Sequence, residues 1–537
     1  MNRFFSLALV LVSICSYAQS ELTDQQLMEY VSTVSKEKIK HHIAVLADDS
    51  MRGRYPGTPE YLTAMNYVAD QFKSMGFKPL GDNMGTSYFQ PLTLRKALVI
   101  DNQSFMILNE SDTLLLGEDY FYAGNANNAN EEFSAEVVFA GYGIDAPGLG
   151  YNDFDQVDVK GKIMIILRGG PEDFQASERA YFSSTDTKLQ TAIDKGAVGI
   201  LNVRENVSRI HSYLKTRGVT NVVLPSGKAI GRSSFEGNLQ MGGYINQSIL
   251  EKMIGKPYEE IIANYIQGTI LNPENPQILS GTVVARYEEI ESGNVVGLYE
   301  GGDKKDEYIV HTAHLDHLGV GKLVAGDSIY NGAHDNASGI SSMLEIAGLY
   351  SKLETKPKRS VIFLAVTAEE MGLLGSRYYA EYPTVDMHKI VANVNTDMPT
   401  LVAPLLSIEP LGAEHSSLMN QVERTAKLFD LRVDEDHMPE EVRFVRSDQV
   451  SFVKKGVPAL NISYGLKATN PEETIDSLIT NFRNNHYHKP SDELNDSFDW
   501  DAAVKFVQMH FVNSYMINTD EERPTWNEGD FFGTFRR

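Results

Sequence analysis

The stretch VIFLAVTAEEMGLLGS, Val361 to Ser376, begins as an apolar strand and ends abruptly at two adjacent carboxylates, Glu369 and Glu370. Neighbouring like charges repel each other, and outside a helix consecutive side chains point in different directions. An isolated glutamate pair usually belongs to a solvated loop. The alternative is that positive charge lies close to the pair or that the two residues have different roles. The motifs in the surrounding sequence distinguish these two readings.

The chain alternates strands and helices from about Glu289 onward. The segments follow one another as VVGLYEG, EYIVHTAHL, ASGISSMLEIAGLYSKL, SVIFLAVTAEE, GLLGSRYYAEY, KIVANVNTDM and GVPALNISYG. Such alternation is typical of an α/β fold, with a mixed, mostly parallel sheet sandwiched by helices. Ligands bind at the carboxyl ends of the strands in that architecture, and the glutamate pair lies at such an end.

Other polar residues follow the ends of the neighbouring predicted strands or precede the helices between them. They are His314 and Asp316 in HTAHLDH, Asp335 in GAHDNASG, Asp397 in VNTDM and His488 in NHYHKPSD. Each one alone has an ordinary explanation: a strand-end or loop histidine, a carboxylate that caps the next helix, or a turn aspartate. Their shared position at strand ends indicates instead that they form one site.

These residue types suit metal-dependent hydrolysis. Two histidines and three carboxylates without cysteine are typical of a hydrolytic zinc site. Two metal ions about 3.5–4 Å apart need one bridging carboxylate and further ligands for each ion, and a remaining glutamate can act as general base. We expect the other histidines to be structural or exposed, namely His311 against the core or a helix, His334 with no metal to reach, and His317, His486, His41 and His42.

The composition is that of an ordinary globular protein and excludes some partners. A length of 537 residues suggests about two to four domains, and the 42% of hydrophobic residues is ample for a core. The formal net charge is −24, with a sequence pI of about 5.0. Nucleic acids and anionic membranes need a basic face, so we expect neither as a partner.

The N-terminus, MNRFFSLALVLVSICSYAQS, has the pattern of a secretory signal peptide over residues 1–18. A short positive region at Arg3 precedes an apolar run from Phe4 to Ile14, and small residues end at Ala18. The single cysteine, Cys15, lies inside this segment, so the mature chain has no thiolate ligand or disulfide. We therefore expect export to the periplasm or the medium, and no later apolar run is long enough to span a membrane.

The ordered motifs HLDH, GAHDNASG, AEEMGLLGS, NTDM and YHKPSD resemble those of the co-catalytic zinc aminopeptidase family. That family includes secreted bacterial leucine aminopeptidases, glutamate carboxypeptidase II and the transferrin receptor. The resemblance covers about residues 285–518, and LADDSMRGRYPGTPE looks like the usual lead-in. Residues 133–282, with VVFAGYGIDAP, DVKGKIMIILRGGP and KGAVGIL, resemble a β-rich protease-associated domain inserted into such enzymes. The predicted domains are then 19–132 and 283–518 for the catalytic part, 133–282 for the insertion and 519–537 for a loosely packed tail.

The resemblance implies a role for each motif residue and a cofactor of two Zn²⁺ ions per chain. Asp335 would bridge the ions, His314 and Asp397 would complete one shell, and Glu370 and His488 the other. Glu369 would be the general base towards water bound by both ions, and Asp316 would orient His314. Tyr487 would donate a hydrogen bond to the tetrahedral intermediate, and the Asp335–Asn336 peptide is expected to be cis.

The chain departs from the family at Ser447-Asp448-Gln449, where many relatives have Ser-Asp-His. We expect this difference to alter substrate contacts, with Arg446 and Gln449 as candidate substrate-binding residues. The segment between Gly465 and Asn485 is long and is expected to form a lid over the site. The preferred N-terminal residue, the peptide length and the oligomeric state are not readable from the sequence.

The resemblance implies a zinc-dependent aminopeptidase that acts on peptides outside the cytoplasm. One alternative is a carboxypeptidase, for which Arg443 or Arg446 would face the substrate carboxylate. A second is a glutaminyl-cyclase-like enzyme, which holds a single zinc and would not need both His314 and Asp397. A third is a non-enzymatic receptor, which should have lost ligands that this chain retains.

Overall fold

The computed structural model describes residues 21–82, 84–399, 401–438, 441–466 and 475–535. The predicted signal peptide, residues 1–18, lies outside these ranges, and so do residues 467–474 of the predicted lid. Among the described residues, no helix combines the length and the apolar character that crossing a bilayer requires.

The described helices are Asp24–Val31 (α1), Lys36–Leu46 (α2), Pro59–Ser74 (α3), Ala176–Ser183 (α4), Thr185–Asp194 (α5), Val207–Arg217 (α6), Gln247–Ile254 (α7), Tyr258–Ile266 (α8), Ser338–Ser351 (α9), Leu374–Glu381 (α10), Leu418–Leu428 (α11), Gln449–Val453 (α12), Asp476–Asn485 (α13) and Trp500–Thr519 (α14).

The described strands are Lys78–Pro79 (β1), Phe89–Val99 (β2), Phe105–Leu108 (β3), Asp112–Leu114 (β4), Tyr120–Ala123 (β5), Asn130–Phe139 (β6), Asp145–Ala146 (β7), Tyr151–Asn152 (β8), Ile163–Ile166 (β9), Gly199–Arg204 (β10), Val219–Val223 (β11), Ala229–Gly231 (β12), Met241–Asn246 (β13), Ile278–Tyr299 (β14), Lys304–His314 (β15), Gly319–Val324 (β16), Asp327–Tyr330 (β17), Arg359–Val366 (β18), Ile390–Asn395 (β19), Ser407–Leu411 (β20), Arg432–Val433 (β21) and Ala459–Tyr464 (β22).

The main sheet has four parallel strands at its centre, in the order β18, β15, β19 and β22. Strand β14 pairs antiparallel with β18 on one side, and β20 pairs antiparallel with β22 on the other. The pairings bring His314 beside Val366 and Thr312 beside Asn395, so three carboxyl ends meet at one edge. The predicted α/β fold with a mixed, mostly parallel sheet is confirmed.

Helices cover both faces of the main sheet because its central strands are apolar on both sides. All eight residues of β18 are buried, as expected for a parallel strand between two helical layers. Phe363 packs on the face covered by α2, α3, α9 and α14. Leu364, the next residue, packs on the other face with Tyr379 of α10 and Phe452 of α12.

A second α/β unit occupies the segment predicted as an insertion. Its sheet has β6, β9, β10 and β13 in parallel, and β5 pairs antiparallel with β13. The five helices α4 to α8 lie in this segment, which is more helix than the β-rich pattern predicted. Strands β3 and β5 also pair with this unit, so it includes residues ahead of 133.

The long strand β14 belongs to both units. Its first residues pair with β3 and β6 of the second unit, its middle pairs with β2, and its last residues pair with β18. The C-terminal segment also connects the units, contrary to the prediction of a loosely packed tail. Phe532 is fully buried, the Trp526 indole donates to the carbonyl of Gly456 (3.0 Å), and the Phe531 ring lies 5.2 Å from that of Phe182.

Candidate metal centre

Adjacent parallel strands bring the predicted site residues together at one edge of the main sheet. His314 is the last residue of β15, Glu369 and Glu370 follow β18, and Asp397 follows β19. Asp335 comes from the turn Ala333–Ala337 that leads into α9, and the Asp335–Asn336 peptide is cis, as expected. His488 reaches the same place from the segment after α13.

A first group of donor atoms contains His314, Asp335 and Asp397. The Nε2 atom of His314 lies 3.2 Å from Asp335 Oδ1 and 3.3 Å from Asp397 Oδ1. The other ring nitrogen, Nδ1, lies 3.1 Å from the backbone carbonyl of Asp316. If Nδ1 carries the proton and donates it in a hydrogen bond to that carbonyl, the lone pair of Nε2 is free to bind a cation.

A second group shares Asp335 with the first. The Nε2 atom of His488 lies 3.1 Å from Asp335 Oδ2 and 3.3 Å from Glu370 Oε1. Asp335 therefore turns one carboxylate oxygen towards each group. This arrangement would allow one carboxylate to bind two ions at once.

His317 also lies at the second group, which corrects the expectation that it has only a structural or exposed position. Its side chain is fully buried, and Nδ1 lies 2.8 Å from Glu370 Oε1 and 4.0 Å from Asp335 Oδ2. The motif HLDH contains His317 three residues after His314. A strand end followed by a tight turn can bring both rings to one site. The spacing of the two histidines in this motif could therefore have indicated His317 from the sequence.

The spacing of the donor atoms fits zinc. Ligand atoms about 2.0–2.1 Å from a tetrahedral zinc ion stand about 3.3 Å from one another. The separations of 3.2 and 3.3 Å in the first group and of 3.1 and 3.3 Å in the second match that value. Glu370 Oε1 is buried and has no hydrogen-bond partner among the described residues, although two ring nitrogens are close to it. An orphaned carboxylate oxygen facing imidazole nitrogens is what a cation would satisfy.

Charge in the second group is balanced by protons. Burial and the charge of Asp335 raise the pKa of Glu370, but contacts with His317 and His488 leave it lowered to about 2. Burial lowers the pKa of His488, and its contacts with Asp335 and Glu370 raise it to about 10. A divalent cation would displace the proton from His488, so cation binding at this site releases protons.

The carboxylate of Asp316 holds the glutamate pair rather than His314. Its Oδ1 accepts a hydrogen bond from the backbone N–H of Glu369 (3.1 Å) and its Oδ2 from that of Glu370 (3.3 Å). The closest carboxylate oxygen lies 3.9 Å from His314 Nδ1, which is bonded instead to the Asp316 carbonyl. The expected orientation of His314 by the Asp316 side chain is therefore corrected to orientation by its backbone.

Glu369 belongs to neither donor group and faces the cleft beside them. Burial raises its pKa well above the ordinary value, and the nearby carboxylates of Asp397 and Glu370 raise it further against the opposing effect of His314. A carboxylate at a polar cleft with a raised affinity for a proton is suited to accepting a proton and passing it on.

Two supports of the site were not found from the sequence. The buried guanidinium of Arg54 donates to the carbonyls of Leu315 (2.8 Å) and Asn331 (2.6 Å), which ties the loop after β15 to the turn before Asp335. Asp492 accepts from the backbone N–H groups of His334 (2.9 Å) and Asp335 (3.1 Å). The motifs RGRYPGTPE and YHKPSD contain these residues, but backbone partners distant in sequence cannot be read from a pattern.

A cleft opens beside the donor groups. The two predicted substrate-binding residues, Arg446 and Gln449, differ in whether they reach this cleft. Arg446 lies at the cleft with more than half of its side chain exposed. Gln449 is fully buried and both ends of its amide are engaged, with Nε2 donating to Phe444 (2.6 Å) and Oε1 accepting from Asn395 (2.8 Å). The structure therefore gives no support to the expectation that Gln449 binds substrate, because the side chain is buried and its amide is bonded within the protein.

Tyr487 lines the cleft beside His488, and the two ring centroids are 3.8 Å apart. Burial raises the pKa of the Tyr487 phenol, so the hydroxyl keeps its proton and can donate a hydrogen bond. The remaining histidines lie outside both donor groups. His311 is buried against Ser514 of α14, His334 is paired with Asp492, His486 with Ser491, His42 with Tyr67, and His41 is exposed.

The chain is similar to known proteins in sequence and in fold. Residues 294–512 match the sequence profile of peptidase family M28. A probable leucine aminopeptidase 2 from Aspergillus oryzae is 28% identical over 199 residues, which are 36% of this chain and 37% of that protein. A glutamate carboxypeptidase 2 homolog from Caenorhabditis elegans is 24% identical over 315 residues, 51% of this chain and 38% of that one. The chain thus spans less than two fifths of the length of these relatives.

The fold itself is shared along almost the whole chain. The solved structure of an aminopeptidase from Aneurinibacillus sp. strain AM-1 aligns with a TM-score of 0.51 and 19% identity, covering 92% of this chain and 96% of that one. The matched profile includes both donor groups, the glutamate pair and the central strands of the main sheet. The part of the chain that builds the site, residues 294–512, is therefore the part that is similar to peptidase family M28.

Proposed function

We propose that this protein is a zinc-dependent exopeptidase that removes N-terminal residues from peptides and binds two zinc ions per chain. The observation that carries this proposal is the position of Asp335. Its two oxygens face two separate donor groups, one with His314 and Asp397 and one with Glu370 and His488. The similarity of the site segment to peptidase family M28 supports the same reading.

The side chains divide the chemistry between them. Two zinc ions, when bound, polarise the scissile carbonyl and make water more acidic. Glu369 takes the proton from the attacking water and gives it to the leaving amine, since its carboxylate lies at the cleft beside the donor groups and belongs to neither. Tyr487 donates a hydrogen bond from its hydroxyl group to the carbonyl oxygen, where negative charge develops as the carbon becomes tetrahedral.

The state of Arg443 counts against carboxypeptidase action through this residue, whereas Arg446 is exposed at the cleft. A carboxypeptidase needs a free cationic side chain for the substrate's terminal carboxylate. The Arg443 guanidinium already contacts the carboxylates of Glu409 and Asp436, so its charge is neutralised inside the protein. The cyclase and receptor alternatives are disfavoured because all five donors are present and lie within contact of one another.

The decisive experiment separates the two consecutive glutamates. We expect Glu369→Gln to keep about two zinc ions per chain and to lower kcat by about 10²–10⁴-fold, because only proton transfer is lost. We expect Glu370→Gln to lower the zinc content instead. Zinc is measured by elemental analysis of the purified proteins, and turnover with an aminoacyl reporter. Parental turnover of Glu369→Gln would show that another group moves the proton.

The direction of cleavage is tested with the same purified protein. An unblocked peptide should lose its N-terminal residue, and the same peptide with an acetylated amino terminus should be resistant. Removal of C-terminal residues from the acetylated peptide would favour the carboxypeptidase alternative. We also propose export directed by residues 1–18, which N-terminal sequencing of the protein isolated from its native host would test.

A further inference from the structure

A large cavity lies between the two α/β units, separate from the cleft over the donor groups. Its volume is about 580 Å³, which is within the usual range for binding sites of small molecules and short peptides. The second unit contributes residues from the ends of β9 and β10 and from α4 and α5, and the main unit contributes residues from α10 and α12. Two rigid elements on each side therefore shape this space.

The cavity is strongly basic in a chain that is strongly acidic. Eight arginine and lysine side chains line it against two carboxylates, whereas the whole chain has a formal net charge of −24. One of the two carboxylates, Asp186, is already in contact with Arg377 and Lys454. A positively charged cavity attracts anions, whereas the rest of the negatively charged surface repels them.

Three of the arginines have no direct partner among the residues that the structure describes, although the charge of Arg232 acts on Asp186. Arg168, Arg179 and Arg232 make neither an ion pair nor a side-chain hydrogen bond with the residues that the structure describes. Burial lowers the pKa of the neighbouring Arg204, and the charge of Arg168 lowers it further against the opposing effect of Tyr244. Like charges gathered without counter-charges are explained by an anion from outside the chain.

The cavity adjoins the catalytic cleft through two short segments. Glu441, Arg443 and Ser447 face the cleft, Val442 and Val445 face the cavity, and Arg446 lines both spaces. The loop after β18 is shared in the same way. Glu369 lines the cleft, while Gly372 and Leu373, a few residues further on, line the cavity. A chain that leaves the cleft past Arg446 therefore enters the basic cavity.

We propose that this cavity binds carboxylate side chains of the peptide substrate downstream of the bond that is cut, so that acidic peptides are preferred substrates. The proposal rests on the proposed aminopeptidase function and adds a substrate class to it. Guanidinium groups pair bidentately with carboxylates, and Arg168, Arg179 and Arg232 have this capacity free. The residue at the N-terminus of the substrate is left undetermined by this cavity.

The test compares two peptides with the zinc-loaded protein. Both begin Leu-Ala-Ala, and one continues with a run of glutamates while the other has glutamines at the same positions. A leucine anilide reports the catalytic site alone. We expect kcat/KM for the glutamate peptide to exceed that for the glutamine peptide by about tenfold at low ionic strength, because several partly buried ion pairs add up. High salt should reduce this ratio towards one.

A double variant assigns the preference to the cavity. We expect Arg168→Ala/Arg232→Ala to lose most of the preference for glutamate while its kcat/KM on the anilide is retained. The control Arg209→Ala/Arg286→Ala removes the same number of positive charges from outside the cavity. It should keep the preference for glutamate, which would show that the change in net charge alone is not responsible. Thermal unfolding midpoints check that both variants are folded.

Several outcomes would overturn the proposal. Equal kcat/KM for the two peptides, an equal loss in both double variants, or a loss of the same size on the anilide would each do so. If citrate changed anilide turnover while the peptides were cleaved equally, the cavity would bind free anions rather than substrate. Absence of cleavage of the anilide and of both peptides would count against the aminopeptidase function itself, which keeps the two failures distinct.

Discussion

The carboxylate of Asp316 fixes the two consecutive glutamates by accepting a hydrogen bond from each of their backbone N–H groups. In Asp316→Asn the amide NH₂ group would face one of these donors, so one hydrogen bond is lost and the pair is displaced. We expect kcat/KM to fall by about 10- to 100-fold, the usual effect of disturbing a group behind the metal ligands. The measurement is turnover of an aminoacyl reporter, with zinc content determined on the same samples.

The matched control is Asp306→Asn, an exposed aspartate in the same strand, β15, away from the site. It should leave kcat/KM and zinc content unchanged. Parental activity of Asp316→Asn would mean that the backbone geometry of β18 alone places the glutamates. The same result would remove the physical basis for assigning Asp316 a positioning role.

Individual site residues could be predicted from the sequence where the strand pattern and the side-chain type agree. His314, Asp397 and the glutamate pair each follow a parallel strand, and the structure brings them together at one edge. The position of Gln449 could not be predicted in this way. A buried amide that bonds Phe444 and Asn395 depends on packing between distant segments, which a local pattern does not contain.

The first turn of helix α9 contains a glycine, Gly339, that the metal-site turn requires. A Cβ atom on Gly339 would overlap Asn336 Oδ1 and would stand 2.6 Å from the carbonyl oxygen of Thr396. Asn336 uses that Oδ1 to accept from Gly339 and Met398. We therefore expect Gly339→Ala to cost about 1–3 kcal/mol of unfolding free energy and to lower zinc content, because the turn holding Asp335 must move.

A second glycine in the same helix provides the control. A Cβ atom on Gly348 would meet only Met75 Cε, at 3.9 Å. Gly348→Ala should therefore be neutral or stabilise the protein by up to about 1 kcal/mol through helix propensity. Denaturant unfolding and zinc analysis of the two variants test the prediction. Equal behaviour of the two variants would show that the turn adapts to the added methyl group.

The helix α14 places a histidine in the core without any polar partner. His510 is fully buried, its two ring nitrogens have no hydrogen-bond partner among the described residues, and its ring centroid lies 4.2 Å from that of Phe506. Burial, with a smaller effect of His311, lowers the pKa of His510 from 6.5 to about 3. The unfolded chain therefore binds an extra proton between pH 6.5 and about 3, and stability falls as pH falls through that window.

Replacing this histidine should make the protein less sensitive to acid. We expect His510→Phe to gain about 2 kcal/mol relative to the parent at pH 5, and much less at pH 7.5, because the proton-binding group is removed. Thermal unfolding midpoints at the two pH values measure this difference. His41→Phe, at an exposed histidine, should give the same small shift at both values. A pH-independent gain for His510→Phe would mean that apolar packing alone is responsible.

At the scale of the molecule, the two α/β units are joined by strands and by the C-terminal segment. The strand and helix alternation predicted the main sheet because its strands are continuous apolar runs. The limits of the second unit could not be predicted in the same way. The 22-residue strand β14 crosses from one sheet to the other without a turn, so no break between strands marks the boundary.

The C-terminal segment provides an aromatic contact between the units that can be tested. Phe531 lies against Tyr181 and Phe182 of the second unit, and the adjacent Phe532 is buried against Phe444 and His415 of the main unit. Phe531→Ala should remove the contact on the second unit while Phe532 stays packed on the main unit. We expect faster backbone hydrogen exchange in α4, residues 176–183, because the helix loses an apolar cover.

The control for this change is Phe105→Ala, which truncates an exposed phenylalanine in β3 of the second unit and should leave exchange in α4 unchanged. If α4 were held mainly by the C-terminal segment, its position would also set the shape of the basic cavity, which Arg179 and Tyr181 of this helix line. Phe531→Ala should then weaken the preference for acidic peptides while hydrolysis of the leucine anilide is retained. Unchanged exchange in α4 would show that the helix is fixed by its own unit, and the C-terminal segment would then have no part in substrate choice.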